Sequence, residues 1–371
     1  MHTPTDRADP PAPAETSPHA GALRPCFDHA LMCDRAYGAL LGAALGDALG
    51  LQAEGADPAT VSDRHPHGVD LPYKGSYRGY APNDWTDATD CTVLVMRALI
   101  AYTGGTTESP DLDFAARLNR WHKSGFPELG DTAGLTPEGV VVRAMSLPGF
   151  LCDPSGAARQ VRGPRAENGA LIRSIPCAFT AEPSLWAALF CEVTHADDRC
   201  LATATMFAEL LSALSRVPDG EPVAAMIAVG PISAGRGAFV PGSEGDPLLR
   251  ERDYLRHLTN TKDLEGPRLG ERDNRSYTVK TASCAIWALR RLASTAPPAR
   301  DSEFFADVLR QVAAQGGDAS ANCYVVGAVL GAAMGQKGLP QAWLDALPHR
   351  EWLVLEIKCF LEAVAPTWAG V

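Results

Sequence analysis

The sequence predicts an all-α domain with long connecting loops, and three observations carry that prediction. Segments rich in Ala and Leu and poor in β-branched residues recur from about residue 28 onward. Strand-like alternation of apolar and polar residues is nearly absent. Glycines recur every fourth residue at Gly38, Gly42, Gly46 and Gly50, and again at Gly327, Gly331 and Gly335, which lines each set along one helix face.

Order is expected to begin between Phe27 and Asp34. The first helix is "DRAYGALLGAALGDALGLQAE". Its apolar run is bounded by Arg35 and Asp47 and is too short to span a membrane, so the glycine ridge marks a buried helix that another helix approaches closely. Further helices are predicted at "DATDCTVLVMRALIAYT", "EPSLWAALFCEVT", "DRCLATATMFAELLSALSRV", "VKTASCAIWALRRLAST" and "SEFFADVLRQVAAQ". The second glycine-ridged helix, "ANCYVVGAVLGAAMGQ", and the short "QAWLDAL" follow. Between them run Gly/Pro-rich connectors, "SLPGFLCDPSG" and "VGPISAGRGAFVPGSEGDP". Residues 1–27, rich in Pro, Ala and polar residues and without an apolar stretch, read as a disordered tail that is not a secretory signal. Residues 28–371 read as one helical domain.

With 371 residues, 46% of them hydrophobic, the chain can bury a large core. Lys and Arg number 33 against 44 Asp and Glu, a net charge of −11, which argues against a partner held by its phosphate backbone. The 10 cysteines show no Cys-x-x-Cys spacing, which points to reduced thiols and a cytoplasmic setting rather than to disulfides or zinc.

Acids cluster at three helix ends: Asp47 with Glu54, Asp84, Asp87 and Asp90 in "NDWTDATD", and Asp318 in "GGDASAN". Taken singly, each is well explained as a helix cap or a response to the helix dipole. Two details add to that. Asp87 and Asp90 stand three residues apart, on neighbouring parts of one helical face. Gly316 and Gly317 allow a tight loop that aims Asp318 at the start of the next helix. A set of hard oxygen donors suits magnesium rather than zinc.

These segments, in this order, resemble the ADP-ribosylglycohydrolase family. "GALLGAALGDALGLQAEG" resembles its opening G-D-A-L-G…E helix, and "WTDATD" its W-T-D-D-T motif. "GFPELGDTAGLT" and "LPGFLCDPSGAA" resemble the loops that follow. "ENGALIRSIP" resembles its N-G-x-x-M-R segment and "THADDRCLATATMFAELL" its T-H helix start. "SYTVKTASCAIWALR" and "GGDASANCYVVGAVLGAAMG" resemble its last segments, the latter its G-G-D-T-D-T-N run. The resemblance implies one compact, orthogonal helical domain holding magnesium at the bottom of an ADP-ribose cleft. It assigns Glu54 and Asp87 to catalysis, and Thr86, Asp87 and Asp318 to the metal. It assigns Asn168, Gly169, His195 and Gly317 to the substrate. For His195, a helix-start residue with a satisfied hydrogen bond is the equal alternative.

The sequence departs from that pattern at Ala88 and Ser320, which stand where the family has its second acids, and at Ala319 and Ala321, which replace threonines. Three matching carboxylates, Glu54, Asp87 and Asp318, leave about one positive charge of two divalent cations uncompensated. One magnesium ion is therefore expected rather than two, or none, with Asp90 or Asp84 turned inward to help. Three functions follow. The first is a hydrolase that releases ADP-ribose from a modified protein or small conjugate, with a depleted metal site. The second is a catalytically inactive ADP-ribose binder. The third is an interaction protein that reuses the fold.

Overall fold

The computed structural model describes residues 28–77, 79–164, 166–218, 235–236, 238 and 247–370. The tail expected over residues 1–27, and nearly all of the "VGPISAGRGAFVPGSEGDP" connector, lie outside the described residues. Helices dominate, and the described residues contain no strand, only the isolated bridges Tyr77–Tyr80 and Glu167–Tyr277.

The centre is a pair of antiparallel helices, α1 (His29–Gly50) and one near the C-terminal end, Ala319–Met334. The two glycine ladders predicted from sequence face each other. A Cβ on Gly38 would overlap the Gly331 carbonyl oxygen, one on Gly46 that of Cys323, and one on Gly50 that of Ala319. Backbone therefore touches backbone along the whole seam, and both helices are buried on nearly every face. Because they run antiparallel, the C-terminal end of α1 meets the N-terminal end of Ala319–Met334. That register brings Glu54, just beyond α1, to Asp318 and Ser320.

A backbone clasp fixes the junction. Gly55 N–H donates to the Gly317 carbonyl at 2.7 Å and Gly317 N–H to that of Ala56 at 2.8 Å. Gly316 and Gly317 both take left-handed φ, +64° and +73°, and a side chain on Gly317 would overlap the Leu269 carbonyl.

Around this pair lie α2 (Pro58–Arg64), α3 (Asp87–Thr103), α4 (Pro110–Ser124), α5 (Gly139–Met145) and α6 (Pro154–Gln160). The chain continues through α7 (Gly169–Ile172), α8 (Pro183–Glu192), α9 (Asp198–Ser215), α10 (Pro247–Asn260), α11 (Thr278–Ser294) and α12 (Ser302–Ala313). The glycine-ridged partner of α1 is then α13, followed by α14 (Gln341–Ala346) and α15 (Arg350–Val364). The helices anticipated from sequence form. Helix α4 was not anticipated, because its buried Phe114, Ala115, Leu118 and Trp121 are scattered in a polar background. Likewise α10 and α15 were not singled out, and "SLPGFLCDPSG", expected to be a connector, carries the start of α6 at Pro154 with Asp153 as its cap.

Candidate active site

Asp47, in the last turn of α1, is fully buried and sets the geometry of α3. Its two oxygens accept from Thr86 N (3.0 Å), Thr86 Oγ1 (2.8 Å), Thr89 N (3.2 Å) and Thr89 Oγ1 (2.7 Å). Burial pushes its carboxyl up to about 6 against those four bonds. Thr86 caps α3, and the next residue, Asp87, is thereby presented to a cavity of about 220 Å³. Glu54, Asp87, Asp318, Thr86, Asn168 and Gly169 all line that cavity. Residues from four separate stretches of the chain thus converge as the motifs imply.

Each acid has a distinct environment. Asp318 is the cap residue of α13 but makes no capping bond with its side chain. It accepts instead from Asn168 Nδ2 at 3.0 Å and from Ser276, bonds that oppose the rise that burial imposes on its carboxyl. Asn168 Nδ2 also donates to Thr281 Oγ1 at 2.9 Å. Glu54 accepts at Oε2 from both Ser320 N (3.1 Å) and Ser320 Oγ (3.0 Å). Burial, then the charge of Asp318, pushes the Glu54 carboxyl up to about 8. Burial, followed by Asp47 and Glu138, raises Asp87 well above the carboxylate range. Ala88 and Ala321 line the wall where the sequence departs from the family pattern.

Glu138 joins the site without having been anticipated. Its Oε1 accepts from Gly169 N at 2.9 Å, while Glu167 Oε2 accepts from Val140 N at 3.0 Å. The acid before α5 thus caps α7, and the acid before α7 caps α5, which locks two loops together. The available signal was an acid directly before a glycine and an apolar run, "PEGVVV".

Three expected residues take other places. Asp90 does not line the cavity, because its oxygens accept from the indoles of Trp85 and Trp121, both at 2.9 Å. Burial pushes its carboxyl up to about 8. His195 is buried behind Glu138, with Nε2 3.1 Å from Glu138 Oε2, rather than along the cavity wall. Arg173 donates to His195 Nδ1 at 3.3 Å and to Thr194, whose hydroxyl lies 2.8 Å from the same nitrogen. A guanidinium can only donate, so Nδ1 is the acceptor and the Nε2 proton faces Glu138. Gly317 does not line the cavity either, and its role is the clasp described above.

The donor chemistry fits one hard divalent cation: Thr86, Asp87 and Asp318 offer oxygen only, and Glu138, whose Oε2 pairs with His195 Nε2 at 3.1 Å, adds its charge to the same wall. Among the described residues, no three Asp, Glu, His or Cys side chains are already gathered as a metal-ready group. A wider cavity of about 540 Å³ shares Gly139, Glu167, Arg275 and Ser276 with the first as walls and adds Arg199, Arg272 and Tyr277.

Comparison with known proteins identifies the family. The family model for ADP-ribosylglycohydrolase matches residues 28–366, and the chain belongs to that family. The ADP-ribosylarginine hydrolase Tri1 of Pseudomonas putida (strain GB-1) is 27% identical over 91% of this chain and 81% of its own length. The ADP-ribosyl-[dinitrogen reductase] glycohydrolase of Rhodospirillum rubrum is 24% identical over 85% of this chain and 90% of its own. A solved structure described as an ADP-ribosylglycohydrolase-related protein complex superposes with a TM-score of 0.63 at 25% identity, covering 90% of this chain and 99% of that one. No helix among the described residues is long and apolar enough to cross a membrane.

The raised carboxyls give a pH signature for the fold. Glu54 and Asp90 titrate near 8 in the folded chain and near 4 when unfolded. Between those limits the folded state binds more protons, so stability falls as pH rises. The melting temperature in chelator is therefore expected to be higher at pH 5.5 than at pH 8. Calorimetry at the two pH values checks this, and a flat or opposite trend contradicts it.

Proposed function

We propose that the protein hydrolyses the glycosidic bond of an ADP-ribosylated protein side chain or small ADP-ribosyl conjugate, releasing ADP-ribose. The observation that carries this reading is the meeting of Glu54, Asp87, Asp318, Asn168 and Gly169 on one cavity wall. The relatives support it, since one acts on ADP-ribosylarginine and another on ADP-ribosyl-dinitrogen reductase. The substrate would set its distal ribose in the smaller cavity, with the rest of the ADP-ribose in the wider one.

One magnesium ion, held by Thr86, Asp87 and Asp318 beside Glu138, would orient the ribose and offset negative charge. The chain's own groups move the protons. Glu54 keeps a free Oε1, and a carboxyl titrating near 8 still carries its proton at neutral pH, ready for the leaving nitrogen or oxygen. Asp87, which burial and its neighbouring acids would otherwise keep protonated, would be ionised with the cation bound beside it and would then accept the proton of the incoming water. The anomeric carbon then gains hydroxyl as the acceptor leaves protonated.

Free ADP-ribose should appear when the protein is incubated with ADP-ribosylated arginine, serine or a small conjugate, with and without magnesium, and is quantified by chromatography. Asp87→Asn and Glu54→Gln should each lower the rate about 10²–10⁴-fold. No release from any of these substrates sinks the reading. A second reading, an inactive ADP-ribose binder, is favoured by Ser320, whose two donors hold Glu54, and by the apolar wall at Ala88 and Ala321. It expects saturable binding heat for ADP-ribose, unchanged by chelator, with no turnover.

A further inference from the structure

Thr136 stands in "GLTPEG" with two reasons to be extended: its side chain is β-branched, and proline follows it. It takes a left-handed φ of +46° instead, on the wall of the smaller cavity. A backbone conformation this unfavourable persists only where the surrounding contacts impose it.

Those contacts come from Tyr80, which is buried and lines the same cavity. Its phenol oxygen lies 2.5 Å from Thr136 Oγ1 and 3.3 Å from the Leu135 carbonyl oxygen. The phenol has one proton and the carbonyl can only accept, so Tyr80 donates to Leu135 and the Thr136 hydroxyl donates to Tyr80. Two residues further on, Glu138 is held by Gly169 N and His195. At the other end, Tyr80 N donates to the Tyr77 carbonyl at 2.9 Å, and the Tyr77 hydroxyl donates to the Glu54 carbonyl at 2.5 Å. One chain of hydrogen bonds thus runs from the main chain of Glu54, through Tyr77 and Tyr80, to the strained residue on the cavity wall.

We propose that Tyr80 is a positioning residue of the cavity: its hydroxyl holds Thr136 in the left-handed conformation and so shapes the wall against which ADP-ribose binds. The proposal rests on the reading that this cavity takes ADP-ribose, as substrate or as ligand. Tyr80 acts through Thr136 and not on the reacting atoms. Without its hydroxyl, the strain at Thr136 moves the segment off the wall. Binding then falls by the fraction of molecules whose wall is still in place.

The test is calorimetric titration of the full chain with ADP-ribose. Tyr80→Phe keeps the ring and loses only the hydroxyl, and it should bind at least about fivefold more weakly, the effect of about one lost hydrogen bond. Thr136→Val keeps the β-branched shape without the hydroxyl, and it should lose at least about as much, about fivefold. Thr136→Gly also lacks the hydroxyl but takes a left-handed φ freely, so it should stay within about threefold of the wild type. That contrast separates strain from a direct bond between Thr136 and the ligand, for which glycine and valine would be equally weak. If Tyr80→Phe is misfolded by circular dichroism, the two Thr136 variants decide alone. A wild type that binds while Tyr80→Phe binds equally well overturns the proposal and leaves the ADP-ribose reading standing. Equal losses in Thr136→Gly and Thr136→Val overturn it as well. A wild type that does not bind ADP-ribose sinks the reading, and the proposal with it.

Discussion

Asp47→Ala is expected to lower stability by about 3 kcal/mol and to remove any activity that depends on Asp87. The alanine leaves four donors without an acceptor: the N–H and hydroxyl groups of Thr86 and of Thr89. Buried donors of this kind cost about 1–3 kcal/mol each when unmet. Two effects reduce the sum. The hydroxyls can rotate toward other acceptors, and removing Asp47 relieves a buried charge whose carboxyl already sits near 6. The function suffers more than the fold, because this link orients Thr86 and Asp87 toward the cavity. Asp47→Asn separates the two contributions. The amide keeps one acceptor oxygen and the side-chain shape, so its cost should be about 1 kcal/mol. Denaturant unfolding of both variants, with ADP-ribose release on the same samples, tests the pair. Equal stability and activity of Asp47→Ala and the wild type would show that α3 is positioned by packing alone.

The same residue shows how far sequence reasoning reaches here. The motif order placed Glu54, Asp87, Asp318 and Asn168 in one site, and the fold does bring them to one cavity. The glycine ladders announced two closely approached helices. That the ladders meet each other was not legible, since spacing shows a ridge and not its partner. Asp90 illustrates a limit of helical spacing. A residue three positions from Asp87 is rotated by about 60° around the helix. That angle is enough to hand its carboxylate to Trp85 and Trp121. Trp121 lies on another helix, so the competition for Asp90 is a tertiary fact. Glu138 was missed for a related reason. It sits beside a loop without periodicity, and its importance comes from what the fold places opposite it, Gly169 and His195.

The larger stability effect is expected along the α1–α13 seam. In Gly46→Ala the new methyl would overlap the Cys323 carbonyl oxygen and crowd its carbon and the Tyr324 nitrogen. All three are backbone atoms of a buried helix, so no side chain can swing away. Relief requires the two helices to part, which strips contact from their whole length. Overpacking a core normally costs about 1–3 kcal/mol, and a clash of backbone with backbone should exceed that, at about 4 kcal/mol or more. The site would feel the same movement, because the separation of α1 from α13 sets the distance from Glu54 to Ser320, now 3.0 Å. Gly266→Ala is the matched control. Its Cβ would meet only Asp263 Oδ1 at 3.5 Å, an ordinary contact, and it should change stability by less than about 0.5 kcal/mol. Thermal melts and soluble yield of the two variants decide the matter. A Gly46→Ala protein that melts within a few degrees of Gly266→Ala would mean the seam can open cheaply. The clasp between Gly55 and Gly317, not the glycine ridge, would then be what holds Glu54 against the start of α13.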